Sequence, residues 1–188
     1  MFALQLRQAG TKLFLLLEPE RNLGTIWSKD VAPKLMAAVT AAGDNEDAFI
    51  YLTQQGYCIR IFDNLYDQDY PPTREELLDV VRLLFSVIPS NPFYQEHIKV
   101  LQPLASIAWE AWEQANELCK LSCTDRIYAH VFRDQFNQMN EIVALLTQGY
   151  EKMVEVKKGL EHTFSDSWMK SLEGTNVKLE YIPYVDNI

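Results

Sequence analysis

The chain has 188 residues, a length that suits one domain with a sizeable core. Nearly half of it is hydrophobic, with four Trp, nine Tyr and nine Phe and no low-complexity tract, which excludes an intrinsically disordered protein. A formal charge of −9, from 26 acidic against 17 basic residues, argues against direct nucleic-acid binding and against an anionic membrane as partner.

In chain order, Phe2–Gln8 reads as a short helix stopped at Gly10. Thr11–Glu18 fits a buried strand and a helical turn equally, and Pro19 ends it. Ser28 is an N-cap candidate for a helix whose first turns hold Pro33, where proline is tolerated. Its apolar side is Leu35, Met36, Val39 and Ala42, and Gly43 fits the left-handed residue after its end. Asp44 and Asn45 offer caps for a short helix carrying Phe49, Ile50 and Leu52 and stopping at Gly56. Tyr57–Phe62 is compatible with a strand or with one or two helical turns. An acidic, aromatic run from Asp63 ends at Pro71-Pro72. Thr73 and Glu76 then spell a capping box, a specific helix-start signal. The helix it opens carries Leu77, Leu78, Val81, Leu84, Phe85 and Ile88 on one side, widened by Val80, Leu83 and Val87, and so broad an arc predicts a central position.

Pro92–Gln148 is the stretch on which the rest leans. Leu101, Leu104, Ala108, Ala111, Trp112 and Ala115 recur at helical spacing, as do Tyr128, Phe132, Phe136, Met139, Val143 and Leu146. A turn at Leu121–Thr124 makes these runs antiparallel neighbours. Pro103 predicts a kink near Gln102 or a break into two segments. Beyond Gly149 the chain is mostly charged and helical to His162, and Val177–Val185 alternates weakly as an extended tail. The expected fold is therefore mainly all-α: residues 1–188 as a single-domain multi-helix bundle built around a long antiparallel helical hairpin. Thr11–Glu18, Tyr57–Phe62 and Val177–Val185 are the candidates for short peripheral extended segments. Cys58, Cys119 and Cys123 read as reduced thiols, no leader-like apolar segment opens the chain, and a cytoplasmic protein is expected.

Three glutamates, Glu110, Glu113 and Glu117, share one helix, and His130 and Asp134 lie at the same level of the hairpin. Carboxylates and imidazole at one level can hold a divalent metal. The helical wheel, however, puts both sets opposite their apolar stripes, so a solvated face is expected. A second set is Asp63, Asp67, Glu76 and Asp79, which could hold Mg²⁺ or Mn²⁺ because a hard cation wants clustered oxygens. Glu75-Glu76-x-x-Asp79 resembles half of the paired acidic motif of all-α nucleotide pyrophosphatases. That resemblance implies a metal-dependent phosphohydrolase, but the upstream helical Glu-x-x-Glu that would complete the pair is absent.

There is no Gly-rich phosphate loop, no Gly-x-Ser-x-Gly elbow, no His-Glu-x-x-His and no paired Cys-x-x-Cys. Trp109, at the edge of its helix's apolar stripe, and Tyr150, Trp168 and Tyr184, near element ends or in terminal segments, are the candidates for an interaction surface. The favoured function is non-catalytic binding of another protein, or of a second copy as a homodimer, with no cofactor. The alternative is the divalent-metal phosphohydrolase, and a lesser one is a regulator of a nucleic-acid enzyme acting through the acidic surface.

Overall fold

The computed structural model describes residues 31–68, 71–121 and 123–160. Nearly all of these are helical and none lies in a strand. The expected extended segments Thr11–Glu18 and Val177–Val185 fall outside the described residues.

Helix α1, Val31–Ala42, carries Pro33 in its first turn and ends at Gly43, whose φ of +58° is the left-handed conformation that glycine adopts at no steric cost. The turn places Asn45 to cap α2, Glu46–Asp67, with its side-chain oxygen accepting from the Ala48 N–H at 2.9 Å. Glu46 and Asp47 then lie in the first turn, where the helix dipole favours negative charge. Contrary to expectation, α2 passes straight through Gly56; of the two readings open for Tyr57–Phe62, strand or helical turns, the helical one holds. The physical reason is burial. A glycine inside a helix costs about 1 kcal/mol, whereas continuing the helix keeps Tyr57, Cys58 and Ile61 in the core, at about 1.5–3 kcal/mol for each large apolar side chain.

Helix α3, Arg74–Arg82, opens on the expected capping box, both halves of which form: Thr73 Oγ1 accepts from the Glu76 N–H, and Glu76 Oε2 accepts from the Thr73 N–H. It runs on as a π-helical turn, Leu83–Val87, closed by the Ile88 N–H donating to the Leu83 carbonyl at 2.9 Å. The extra residue in that turn rotates the positions after it away from the α-helical register. Val80, Leu83 and Ile88 are buried, while Val81 and Leu78 are exposed and Phe85 is 81 % exposed. The segment therefore lies at the periphery, not at the centre that its broad apolar arc predicted.

Helix α4, Pro92–Leu118, begins with Asn91 as N-cap and Pro92 in the first turn. The Asn91 amide also donates to the Asp47 carbonyl at 3.0 Å, which ties the start of α4 to the start of α2. The irregular residue of α4 is His97, with φ −111° and ψ 17°, and not Gln102. Helices α5, Cys123–Arg133, and α6, Gln135–Gln148, are separated at Asp134, so the single return helix expected from the stripe is in fact two. Gly149, at φ +91°, ends α6, and residues 150–160 are helical again.

The core gathers on α2, which packs against α1, α3, α4 and α6, while α1 packs on α6 and α4 on both α5 and α6. Tyr51 is the largest fully buried side chain among the described residues. Its hydroxyl donates to Met139 Sδ at 3.5 Å, and its ring stacks on Tyr94 with centroids 5.6 Å apart. Burial pushes the Tyr51 hydroxyl well above the usual tyrosine range. Among the described residues no helix is long and apolar enough to cross a membrane.

Candidate functional site

The last turns of α2 and the second half of α4 enclose a cleft of about 300 Å³. Helical spacing explains its α4 wall. Ser106, Trp109, Glu113 and Asn116 follow one another at three- and four-residue steps, as do Ser106, Glu110, Glu113 and Glu117, and the two adjacent rows share one face. Trp112 lies beside that face, and Tyr66 closes the cleft from the end of α2.

Edge-to-face ring contacts hold the aromatic lining. The Trp109 ring meets Phe62 at 5.1 Å and Phe136 of α6 at 5.3 Å, so it is braced from two helices. Trp112 meets Trp109 at 5.8 Å and Tyr66 at 5.6 Å. The rings meet near-perpendicularly, edge against face, the geometry their quadrupoles favour. The Trp112 indole N–H donates to Asp63 Oδ1 at 3.2 Å, which fixes the ring against α2.

Charge surrounds this aromatic surface. Glu110, Glu113 and Glu117 are exposed on its rim. Glu117 accepts from the Lys120 ammonium at 2.7 Å, and that ammonium lies 5.5 Å from the centre of the Tyr66 ring. The Glu117 hydrogen bond, and after it the Tyr66 hydroxyl, raise the Lys120 pKa. Asn116 stands in the lining although only 3 % of it is exposed. Its Oδ1 accepts from Arg133 Nη2 of α5 at 2.6 Å, and its Nδ2 has no acceptor. A buried amide donor left unpaired costs about 1–3 kcal/mol, which offsets what the bond from Arg133 contributes.

A larger depression, about 640 Å³, lies where the α1–α2 turn meets the end of α6. Its amide and hydroxyl side chains are engaged with backbone, and the carboxylates of Asp44 and Glu46 are exposed. Gln148 Nε2 donates to the Thr40 and Ala41 carbonyls at 2.9 and 3.0 Å, Thr147 Oγ1 donates to Ala41 at 2.8 Å, and Asn45 caps α2. These contacts complete the C-terminus of α1 and offer little to a ligand.

The sequence-derived metal set is dispersed among other tasks. Asp63 accepts from Trp112, Glu76 closes the capping box, Asp79 pairs with Arg82 at 2.9 Å, and Asp67 is the exposed last residue of α2. Among the described residues no three His, Cys, Asp or Glu side chains are placed to share a metal ion. Of the aromatic interaction candidates, Trp109 lines the cleft and Tyr150 is 68 % exposed after Gly149, whereas Trp168 and Tyr184 lie outside the described residues. Sequence reasoning does not single out Tyr66, Trp112 or Asn116 as site residues. The one signal that could have found them is the overlap, on α4, of the acidic face with the two tryptophans at the edge of the apolar stripe. Searched against protein-family models, curated proteins and solved structures, the chain matches none of them.

Proposed function

We propose that this chain acts without catalysis, by binding another protein in the cleft between α2 and α4. The observation that carries the reading is the braced aromatic wall of Trp109 and Trp112, which is half-buried in the free chain and opens onto a cleft with an exposed polar rim. Rigid aromatic anchors in a pocket, ringed by polar groups, are the arrangement on which binding energy concentrates at protein interfaces. The same reading takes α4 with α5 and α6 as one long hairpin, interrupted at Asp134, that presents the cleft. It places the protein in the cytoplasm, in keeping with the free thiols of Cys58 and Cys119.

The test is photo-crosslinking from a benzoyl-phenylalanine at Ser106, an exposed residue of the cleft lining, against the same group at the exposed Lys157. Position 106 yields a discrete adduct with a second protein, or with a second copy of the chain, and position 157 does not. The competing proposal is a Mg²⁺- or Mn²⁺-dependent phosphohydrolase using Asp63, Asp67, Glu76 and Asp79. Absence of any adduct specific to position 106, together with metal-dependent turnover of a nucleotide that Asp67→Asn and Asp79→Asn abolish, would replace the binding reading with that one.

A further inference from the structure

We infer that the cleft between α2 and α4 takes a lysine or arginine side chain from a basic segment of the partner polypeptide, an inference that rests on the protein-binding reading above. Charge is the first ground. Glu110 and Glu113 stand exposed on the rim, and neither has an ion-pair partner among the described residues. With Glu117 they put three carboxylates beside the faces of Tyr66, Trp109 and Trp112. Carboxylates for the charge and rings for the methylene stem and the cation face are the two surfaces that a long basic side chain recognises.

The chain itself supplies the second ground. The Lys120 ammonium already rests at one end of this surface, 2.7 Å from Glu117 and 5.5 Å from the Tyr66 ring centre. A cation is thus held here in the free protein, by a carboxylate and a ring of the same lining that an incoming cation would meet. Lys120 is an internal occupant that a partner side chain displaces or extends.

The third ground separates a polypeptide from a free amine. Asn116, almost fully buried in the lining, has one amide donor with no acceptor. An ammonium or guanidinium group cannot satisfy a donor, because it carries no acceptor. A peptide carbonyl can, where its docking moves the cleft wall enough to uncover the nitrogen, which has almost no exposed surface in the free chain. A segment that places a basic side chain against Glu110 and Glu113 brings its own carbonyls along, so one ligand class answers both the carboxylates and the amide. The volume, about 300 Å³, is at the small end for a binding pocket and suits one long side chain with its adjoining backbone.

The experiment titrates the full chain, labelled with ¹⁵N at its indoles, with a short acetylated peptide alternating lysine with alanine and serine. The indole resonances of Trp109 and Trp112 should shift saturably. Glu110→Gln with Glu113→Gln should weaken binding about tenfold, the scale of one lost charge-assisted contact. Glu75→Gln with Glu151→Gln, which removes the same charge from exposed positions elsewhere, should leave it within about twofold. Lys120→Gln should tighten binding by more than Lys157→Gln does, since only the first removes the internal competitor. Absence of a shift, equal loss in both glutamate double variants, or equal saturation by spermidine would each overturn the inference. A position-106 adduct that persists while the lysine peptide fails to bind would sink the ligand class alone and leave protein binding standing; loss of the adduct as well would sink both.

Discussion

The two ends of α2 make opposite use of similar side chains. Toward its N-terminus the helix buries Phe49, Tyr51, Leu52 and Cys58 among α1, α4 and α6. Toward its C-terminus Phe62, Asp63 and Tyr66 are only partly covered and meet α4 across an open cleft. The larger depression of the molecule lies at the first end, yet its amide and hydroxyl groups are spent on closing α1. The smaller one, at the second end, keeps an amide donor without a partner. The difference teaches that a depression whose hydrogen-bonding groups already serve the backbone differs from one lined by exposed carboxylates and half-buried rings, whatever their volumes.

The largest expected effect tests whether the first end is structural and the second is not. Tyr51→Ala should destabilise the fold by about 4 kcal/mol, the cost of emptying a large buried site. Tyr66, 41 % exposed, sits in an environment where truncation to alanine should cost about 1 kcal/mol or less. Urea denaturation of the two variants reads the ratio directly, and similar losses would break the comparison.

A middle-sized effect comes from titration at the closed end. Burial pushes the Cys58 thiol up from its ordinary 9.0 to about 12. Below the unfolded value both states keep the proton and pH has no effect through this group. Above it the unfolded chain ionises while the folded one does not, so stability falls as pH rises from 9.0 toward about 12. The loss at about pH 11 is on the order of 2 kcal/mol. The Tyr51 and Tyr94 hydroxyls, both raised by burial, add to the fall in the same direction. Denaturation curves over this range should steepen the contrast between wild type and Cys58→Ala, in which the thiol's share of the alkaline loss is missing.

The smallest effect is the most discriminating for the open end. Replacing Asn116 by leucine removes the unpaired donor and leaves exposed Arg133 to water. Asn116→Leu should therefore gain about 1 kcal/mol of stability while weakening the lysine peptide. A core asparagine kept for structure would give the reverse, lower stability at unchanged binding.

Signals that act within a few residues were legible in advance. Thr73 and Glu76 lie three apart and close their box without help from any other element; Gly43 takes the left-handed turn, and Asn45 caps α2 directly after it. Periodicity likewise showed helical structure after Thr73 and from Pro92 to Gln148, while it left Tyr57–Phe62 open. Other readings failed where packing outvoted a local cue. Gly56 did not stop α2, because the residues after it are worth more buried, and the arc from Leu77 to Ile88 did not become central, because only Val80, Leu83 and Ile88 of it are buried while Leu78, Val81 and Phe85 face solvent.

What the amino-acid order determined alone is thus the helical character of the described chain, its caps, and the acidic face of α4 opposite an apolar stripe. Tertiary structure alone decided that this face lies beside Tyr66, that Trp112 finds Asp63 at a separation of 49 residues, and that Arg133 satisfies one side of Asn116 but not the other. The physical reason is range: capping and periodicity are encoded within a turn or two of helix, whereas a cleft exists only once two distant helices have been brought together by the burial of their other faces.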